Sequence, residues 1–222
     1  MIIKAENIDK SYGKKTVLKN VSFDARSGEC IGILGGNGCG KSTLLSILAG
    51  VRKASSGSFS ADGTDLFADT KKRASLVGYL PQGTPLLEEL SALDNLRLWY
   101  SKEDIRRELD GGKLQMLGIG DFLKVPVRKM SGGMKKRLSI GCTVAHSPAV
   151  LLLDEPTAAL DLICKEKIAD FMLEHKKNGG IILITTHDEK ELTLCDRLYV
   201  IKDGGMKETS FNGNIKELTE KF

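Results

Sequence analysis

What this 222-residue sequence lacks narrows its class first. No apolar run approaches the roughly 18 residues that a membrane helix needs. The N-terminal stretch MIIKAENIDK has no continuous apolar segment of the secretory kind. The five cysteines (Cys30, Cys39, Cys142, Cys164, Cys195) form no CxxC pair and no zinc-like spacing, so reduced thiols, mostly buried, are expected. Charge of one sign is scarce too: 33 Lys plus Arg against 29 Asp plus Glu leave a formal +4. That balance suits an anionic ligand without demanding nucleic acid. The short clusters Lys71-Lys72-Arg73 and Lys135-Lys136-Arg137 read as solvated helix faces, and no nucleic-acid partner is expected. Together these absences predict a cytoplasmic chain that reaches any membrane it serves through a partner.

What is present points to an α/β core. Ile31–Leu34, Leu76–Leu80, Val150–Leu153 and Ile181–Ile184 are short aliphatic runs without polar alternation, the pattern of strands buried on both faces of a parallel sheet. Helical patterns lie between them. Lys41–Ala49 is apolar at Leu44, Leu45 and Leu48 and stops at Gly50. Ser131 precedes a helix with Met134, Leu138, Cys142 and Ala145 on one face, ending near Ser147-Pro148. The first 27 residues alternate instead (Ile3, Ala5; Val21, Phe23, Ala25), which predicts antiparallel strands with one wet face. Residues 85–145 are predicted mostly helical, with a cap at Ser101, and read as a subdomain inserted into a core of residues 1–84 and 146–222. Leu198–Lys202 followed by Asp203-Gly204-Gly205 predicts a hairpin.

Gly35-Gly36-Asn37-Gly38-Cys39-Gly40-Lys41-Ser42 fits G-x-x-x-x-G-K-[ST]. It follows an apolar strand and opens a helix, the context that confirms a phosphate loop. Its glycines let backbone N–H groups converge on a phosphate chain, and the helix N-terminus adds its positive dipole end. Lys41 can reach the β- and γ-phosphates, Ser42 can ligate Mg²⁺, and Thr43 completes the binding stretch. Cys39, near a helix N-terminus, is either a reactive thiol or an inert filler of the loop.

Asp154-Glu155 ends the third aliphatic run. A carboxylate there can hold Mg²⁺, and the next is placed to accept a proton from an attacking water. Two acids in a solvated turn would be the plain alternative, but a phosphate loop in the same chain favours the metal. His187 follows the fourth run, on the strand edge where ligands bind in open α/β sheets, and can contact the γ-phosphate. His146 and His175, at or near helix ends, read as structural. These features alone describe a P-loop ATPase.

A further segment carries a family resemblance. Met130-Ser131-Gly132-Gly133-Met134 resembles the signature motif, usually Leu-Ser-Gly-Gly-Gln, of ATP-binding-cassette ATPases. A Ser-capped helix would explain the serine but not the order of all the motifs. The resemblance implies roles elsewhere. Tyr12 looks like the adenine-stacking aromatic. Gln82 looks like the glutamine that joins Mg²⁺ and water to the helical subdomain, and His187 like the switch histidine. Ala158-Ala159-Leu160-Asp161 resembles the loop that crosses to a partner ATPase. Met134, in place of glutamine, is similar to the branch of drug, antibiotic and haem exporters, and Ala158 stands where serine is common. The implied protein is a Mg²⁺-dependent ATPase that works as a head-to-tail homo- or heterodimer. It would power export through a separate integral membrane subunit, from a place at the inner face of the membrane. Leu86, Leu87, Leu90, Leu93 and Leu96 would form subdomain core or part of that docking face, core being favoured. A soluble cassette ATPase, a small-molecule kinase and a nucleotide sensor are the competing readings; the last is disfavoured by Glu155 and His187.

Overall fold

The computed structural model describes residues 1–210. The predicted final stretch of the core, 211–222, lies outside the described residues.

The chain opens with two long strands, β1 (Ile2–Tyr12) and β2 (Lys15–Arg26), paired antiparallel. Ile3, Ala5, Ile8, Val21, Phe23 and Ala25 point inward and are buried, as the alternation predicts. β3 (Cys30–Leu34) leads into α1 (Lys41–Leu48). β4 (Ser56–Ala61) and β5 (Thr64–Asp65) then join the first sheet, giving the order β2-β1-β4-β5. These two strands are absent from the sequence reading, because serine and glycine give a weak strand signal there. Asp62 and Gly63 both have positive φ, which closes this hairpin tightly.

α2 (Thr70–Leu76) precedes β6 (Val77–Leu80), so Leu76 ends a helix and the strand begins one residue later than expected. A helical segment follows: α3 (Ala92–Leu96), α4 (Lys102–Leu109), α5 (Lys113–Met116), two 3₁₀ turns and α6 (Gly132–Thr143). Ser91, Ser101 and Ser131 each cap a helix through the side-chain oxygen. α6 ends at Thr143, short of the predicted Ser147, which itself takes positive φ. The remaining order is β7 (Val150–Asp154), α7 (Leu162–Lys177), β8 (Ile181–Thr185), α8 (Glu189–Leu194), β9 (Arg197–Lys202) and β10 (Gly205–Thr209).

The second sheet runs β10-β9-β3-β8-β7-β6, with every pair parallel except the terminal β9–β10 hairpin. Its strands serve two cores by simple alternation. Ile31, Ile33, Val150, Leu152, Ile181 and Leu183 face α1 and the antiparallel sheet. Leu151, Leu153, Ile182 and Ile184 face the helical segment and α7. Leu96 is fully buried in that second core, with Leu86 and Leu93 packed on it, whereas Leu87 is exposed. The expected solvated face at 135–137 is corrected in part: Lys136 is buried at 5% exposure, and Arg137 donates to the carbonyls of Leu117 and Gly118. A carbonyl partner for each head group is what allows these stems to lie inside. Among the described residues, no helix is long and apolar enough to cross a membrane.

Candidate functional site

The parallel strands β3, β7 and β8 all end at one edge, and the predicted chemistry collects there. Gly35 leaves β3 with φ 147°, and Gly40 enters α1 with φ 117°. A Cβ at Gly35 would stand 2.5 Å from the Ile201 carbonyl oxygen, and one at Gly40 2.8 Å from a Leu18 methyl. Glycine is therefore needed at both ends of the loop for conformation and for space. In between, nothing lies within 4 Å of a Cβ built on Gly36 or Gly38, so the cradle is open there. Gly40 is the cap residue of α1 and offers no side-chain oxygen, which leaves the first N–H groups of the helix for a ligand.

Lys41 is buried at 6% exposure. Its Nζ donates to the carbonyls of Gly35 (2.6 Å) and Gly36 (3.2 Å), so the ammonium sits inside the loop. Asn37 and Ser42 are exposed and Thr43 half-buried. The half-buried Cys39 thiol packs against Gly35 and the first core, the arrangement of a filler. Tyr12, at the end of β1, is 42% exposed. Arg52 donates to its hydroxyl at 2.9 Å, and Lys10 lies 4.8 Å from the ring centroid.

The acidic pair is pinned by the neighbouring strand. Asp154 is 2% exposed and accepts from Thr185 Oγ1 at 2.6 Å. The Glu155 N–H donates to both the carbonyl and the hydroxyl of Thr185. Glu155 itself has φ 49°, a left-handed conformation that is uncommon outside glycine, asparagine and aspartate. Its carboxylate accepts from Gln82 Nε2 at 2.9 Å, although 73 residues separate the two. Thr185 was absent from the predicted site; its signal is the strand register, which pairs Asp154 with Thr185.

His187 follows β8, close enough to Lys41 and Glu155 to feel both charges. Burial and the Lys41 ammonium lower its pKa, against an opposing pull from Glu155. It lines a cleft of about 210 Å³ with Glu155, Ala158, Lys165, Asp188 and Glu191. Glu191, 3% exposed, accepts from Thr186 Oγ1, and burial pushes its carboxyl up to about 7. Lys136 and Glu191 are charges that sequence reasoning missed, since neither belongs to a motif. The other two histidines sit elsewhere. His175 stacks on Phe171 and is held by burial to a pKa of about 4, and His146 meets Trp99 edge-on.

The structure keeps one predicted group apart from this edge. Ser131 and Gly132 are exposed, and Ser131 Oγ accepts from the Met134 N–H. Around Gly133 the nearest groups are Cys164 and Asp161, and around Gly132 it is Leu160. So Ser131-Gly132-Gly133 lies beside the Ala158–Asp161 loop of its own chain, not beside its own phosphate loop. Met130 and Met134 pack into the second core. In that loop Ala159 has φ 58° and Asp161 caps α7 through the Cys164 N–H.

The donor set at the β7 edge is hard oxygen: the Ser42 hydroxyl, the Asp154 carboxylate and the Gln82 side chain. Mg²⁺ keeps several waters and takes few protein ligands when phosphates supply the rest, so these residues fit it. Among the described residues no cluster of three or more His, Cys, Asp or Glu forms a metal cage.

Comparison with known proteins identifies the family. A family model described as ABC transporter matches residues 18–158. The linearmycin resistance ATP-binding protein of Bacillus subtilis is 34% identical over 92% of this chain and 68% of its own. The lantibiotic transport ATP-binding protein of Streptococcus pyogenes is 33% identical over 98% of this chain and 95% of its own. Among solved structures, a dimeric ATP-binding cassette in a post-hydrolysis state with ADP and Pi superposes with a TM-score of 0.82 at 29% identity, covering 96% of this chain and all of that one. An ATP-binding subunit of an ABC transporter gives 0.84 at 25% identity, covering 98% and 93%. With the nucleotide motifs gathered on one sheet edge and relatives aligned almost end to end, the chain belongs to the ABC transporter family, as one of its ATP-binding, ATP-hydrolysing cassettes.

Proposed function

We propose that two copies of this cassette, or this cassette and a similar one, close head to tail over Mg²⁺ and ATP, and that the closure drives export through a separate membrane-spanning subunit. The observation that carries this reading is the placement of Ser131-Gly132-Gly133: exposed, next to the Ala158–Asp161 loop, with phosphate-loop residues absent from its nearest neighbours. A second anion-binding helix start with no phosphate of its own needs the nucleotide of another chain. Leu162 and Ile163 stand exposed beside it, apolar surface that a second cassette would cover.

Within each site the Gly36–Gly40 amides and Lys41 hold the phosphate chain, and Tyr12 stacks on the adenine ring. Ser42, Asp154 and Gln82 would hold Mg²⁺, which would offset phosphate charge as it develops. Glu155, fixed by Thr185, accepts a proton from the attacking water, and His187 orients the γ-phosphate. Loss of the γ-phosphate removes what the partner's signature segment binds, so the pair opens.

The motion would reach the membrane subunit through residues 85–145, which we take to move as a unit against the core. A groove of about 390 Å³ between that segment and the sheet is lined by Tyr79, Pro85, Leu86, Trp99, Cys142 and His146. Its apolar floor and half-exposed Trp99 suit a short helix of the membrane partner, which would hold the cassette at the cytoplasmic face. Export, rather than import, is favoured by the resistance and lantibiotic-transport relatives together with Met134.

The test is Glu155→Gln. The variant should bind ATP, hydrolyse it about 10²–10⁴-fold more slowly, and elute as a dimer with ATP but not with ADP. Normal turnover, or a monomer under ATP, would sink the reading.

A further inference from the structure

Lys136 is the least expected charge in the molecule. It sits in the second turn of α6, yet it is 5% exposed, a state in which lysine is found almost only when paired. Its Nζ donates to the backbone carbonyl of Gln82 at 2.9 Å. Burial lowers its pKa, opposed by the carboxylates of Asp154, Glu155 and Glu191, which face it from β7, the turn after β7 and α8. Gln82 in turn donates from Nε2 to Glu155 at 2.9 Å. Two hydrogen bonds thus run from the helix that opens with Ser131-Gly132-Gly133 to the carboxylate placed to activate water.

We propose that Lys136 is a positioning residue, whose buried ammonium holds Gln82 in register with the signature helix and so sets the placement of Gln82 and Glu155 for hydrolysis. This rests on the reading of Glu155 as the base. The backbone at Gln82 needs such an anchor. β6 ends at Leu80, Pro81 has no N–H to offer, and residues 81–85 (Pro-Gln-Gly-Thr-Pro) carry no regular structure. A carbonyl held by a cation on α6 follows α6. When the helical segment shifts, Gln82 shifts with it, and the Gln82–Glu155 bond is remade or broken. A neutral donor would hold the carbonyl less firmly, because hydrogen bonds to a charged group are roughly twice as strong.

A double-mutant cycle on ATP turnover by the purified chain tests this, with ATP affinity measured in parallel. Lys136→Met should lower kcat by about ten- to a hundredfold while the Kd for ATP moves by less than about twofold. In a Gln82→Ala background the same substitution should lower kcat by less than about twofold, because the residue it positions is already gone. Equal fold-losses in the two backgrounds would overturn the proposal. So would a Kd that worsens as much as kcat falls. If Lys136→Met does not fold, Lys136→Gln is measured in both backgrounds and judged by the same two criteria. Glu155→Gln serves as the control for the underlying reading. Normal turnover in that variant removes the base assignment, whereas a dead Glu155→Gln with additive Lys136 and Gln82 effects removes only the role of Lys136.

Discussion

Two glycine-rich helix starts in this chain look alike on paper and differ in physics. The loop Gly35–Ser42 leaves a buried strand with glycines at positive φ and carries a buried lysine. Its first helical N–H groups have no side-chain cap. The segment Ser131-Gly132-Gly133 has neither glycine at positive φ, and its serine caps its own helix. Here glycine serves space: a Cβ on Gly133 would meet Cys164 Sγ at 2.4 Å. The first loop is a complete anion cradle within one chain. The second, exposed at Ser131 and Gly132, is in our proposal completed only by the phosphate of another chain.

Breaking the first loop should have the largest effect. Lys41→Ala removes a desolvated cation from the cradle and should weaken ATP binding by roughly a hundredfold or more. Isothermal titration on the single chain reads this directly, and an unchanged Kd would remove the loop from the site.

Among the carboxylates near that loop Glu191 is buried at 3% exposure, so stability should depend on pH through it. Its folded pKa of about 7 lies above the ordinary 4.5. Its contribution is therefore fully present below about pH 4.5 and is lost as pH rises through 7. Glu191→Gln should stabilise the chain at pH 8 relative to wild type by up to roughly 3 kcal/mol. The gain should fade toward pH 4.5. Chemical denaturation at the two pH values checks it, and a pH-independent difference would count against a buried, protonatable Glu191.

Complementation sharpens the comparison further. A Lys41→Ala chain and a Ser131→Arg chain should each be inactive alone. Mixed, they should recover roughly a quarter of wild-type turnover, since half the dimers are mixed and each has one intact composite site. No recovery would mean that the two loops serve the same chain.

Gly133→Ala should act least. Overpacking against Cys164 costs about 1–3 kcal/mol of stability. It should slow turnover while leaving ATP binding to the single chain unchanged, whereas a matching loss of affinity would place the segment at its own phosphate loop.

Much of this was legible in advance, for reasons that particular residues make plain. Aliphatic runs such as Val150–Leu153 declare a strand covered on both faces, and both faces are indeed filled. The glycines of the phosphate loop, and Asp154-Glu155 after a buried strand, announce their chemistry through residue type and order. Other features were not legible. β4 carries three serines and a glycine around Phe59 and becomes a strand because β1 offers it a ladder, and the two-residue β5 pairs on β4 in turn. Lys136 stands between two other basic residues and reads as solvated, because nothing local says that Gln82 will supply its carbonyl. Thr185 has no motif at all and matters through register with Asp154.

The amino-acid order by itself determined the nucleotide loop, the acidic pair, the alternating cores and the family, since each depends on side-chain type at short spacing. Tertiary structure alone decided which groups meet across 31 to 73 positions: Thr185 with Asp154, Gln82 with Glu155, Lys136 with the Gln82 carbonyl. Those meetings depend on strand order and on where α6 lies against the sheet, and long-range packing, not local pattern, sets both.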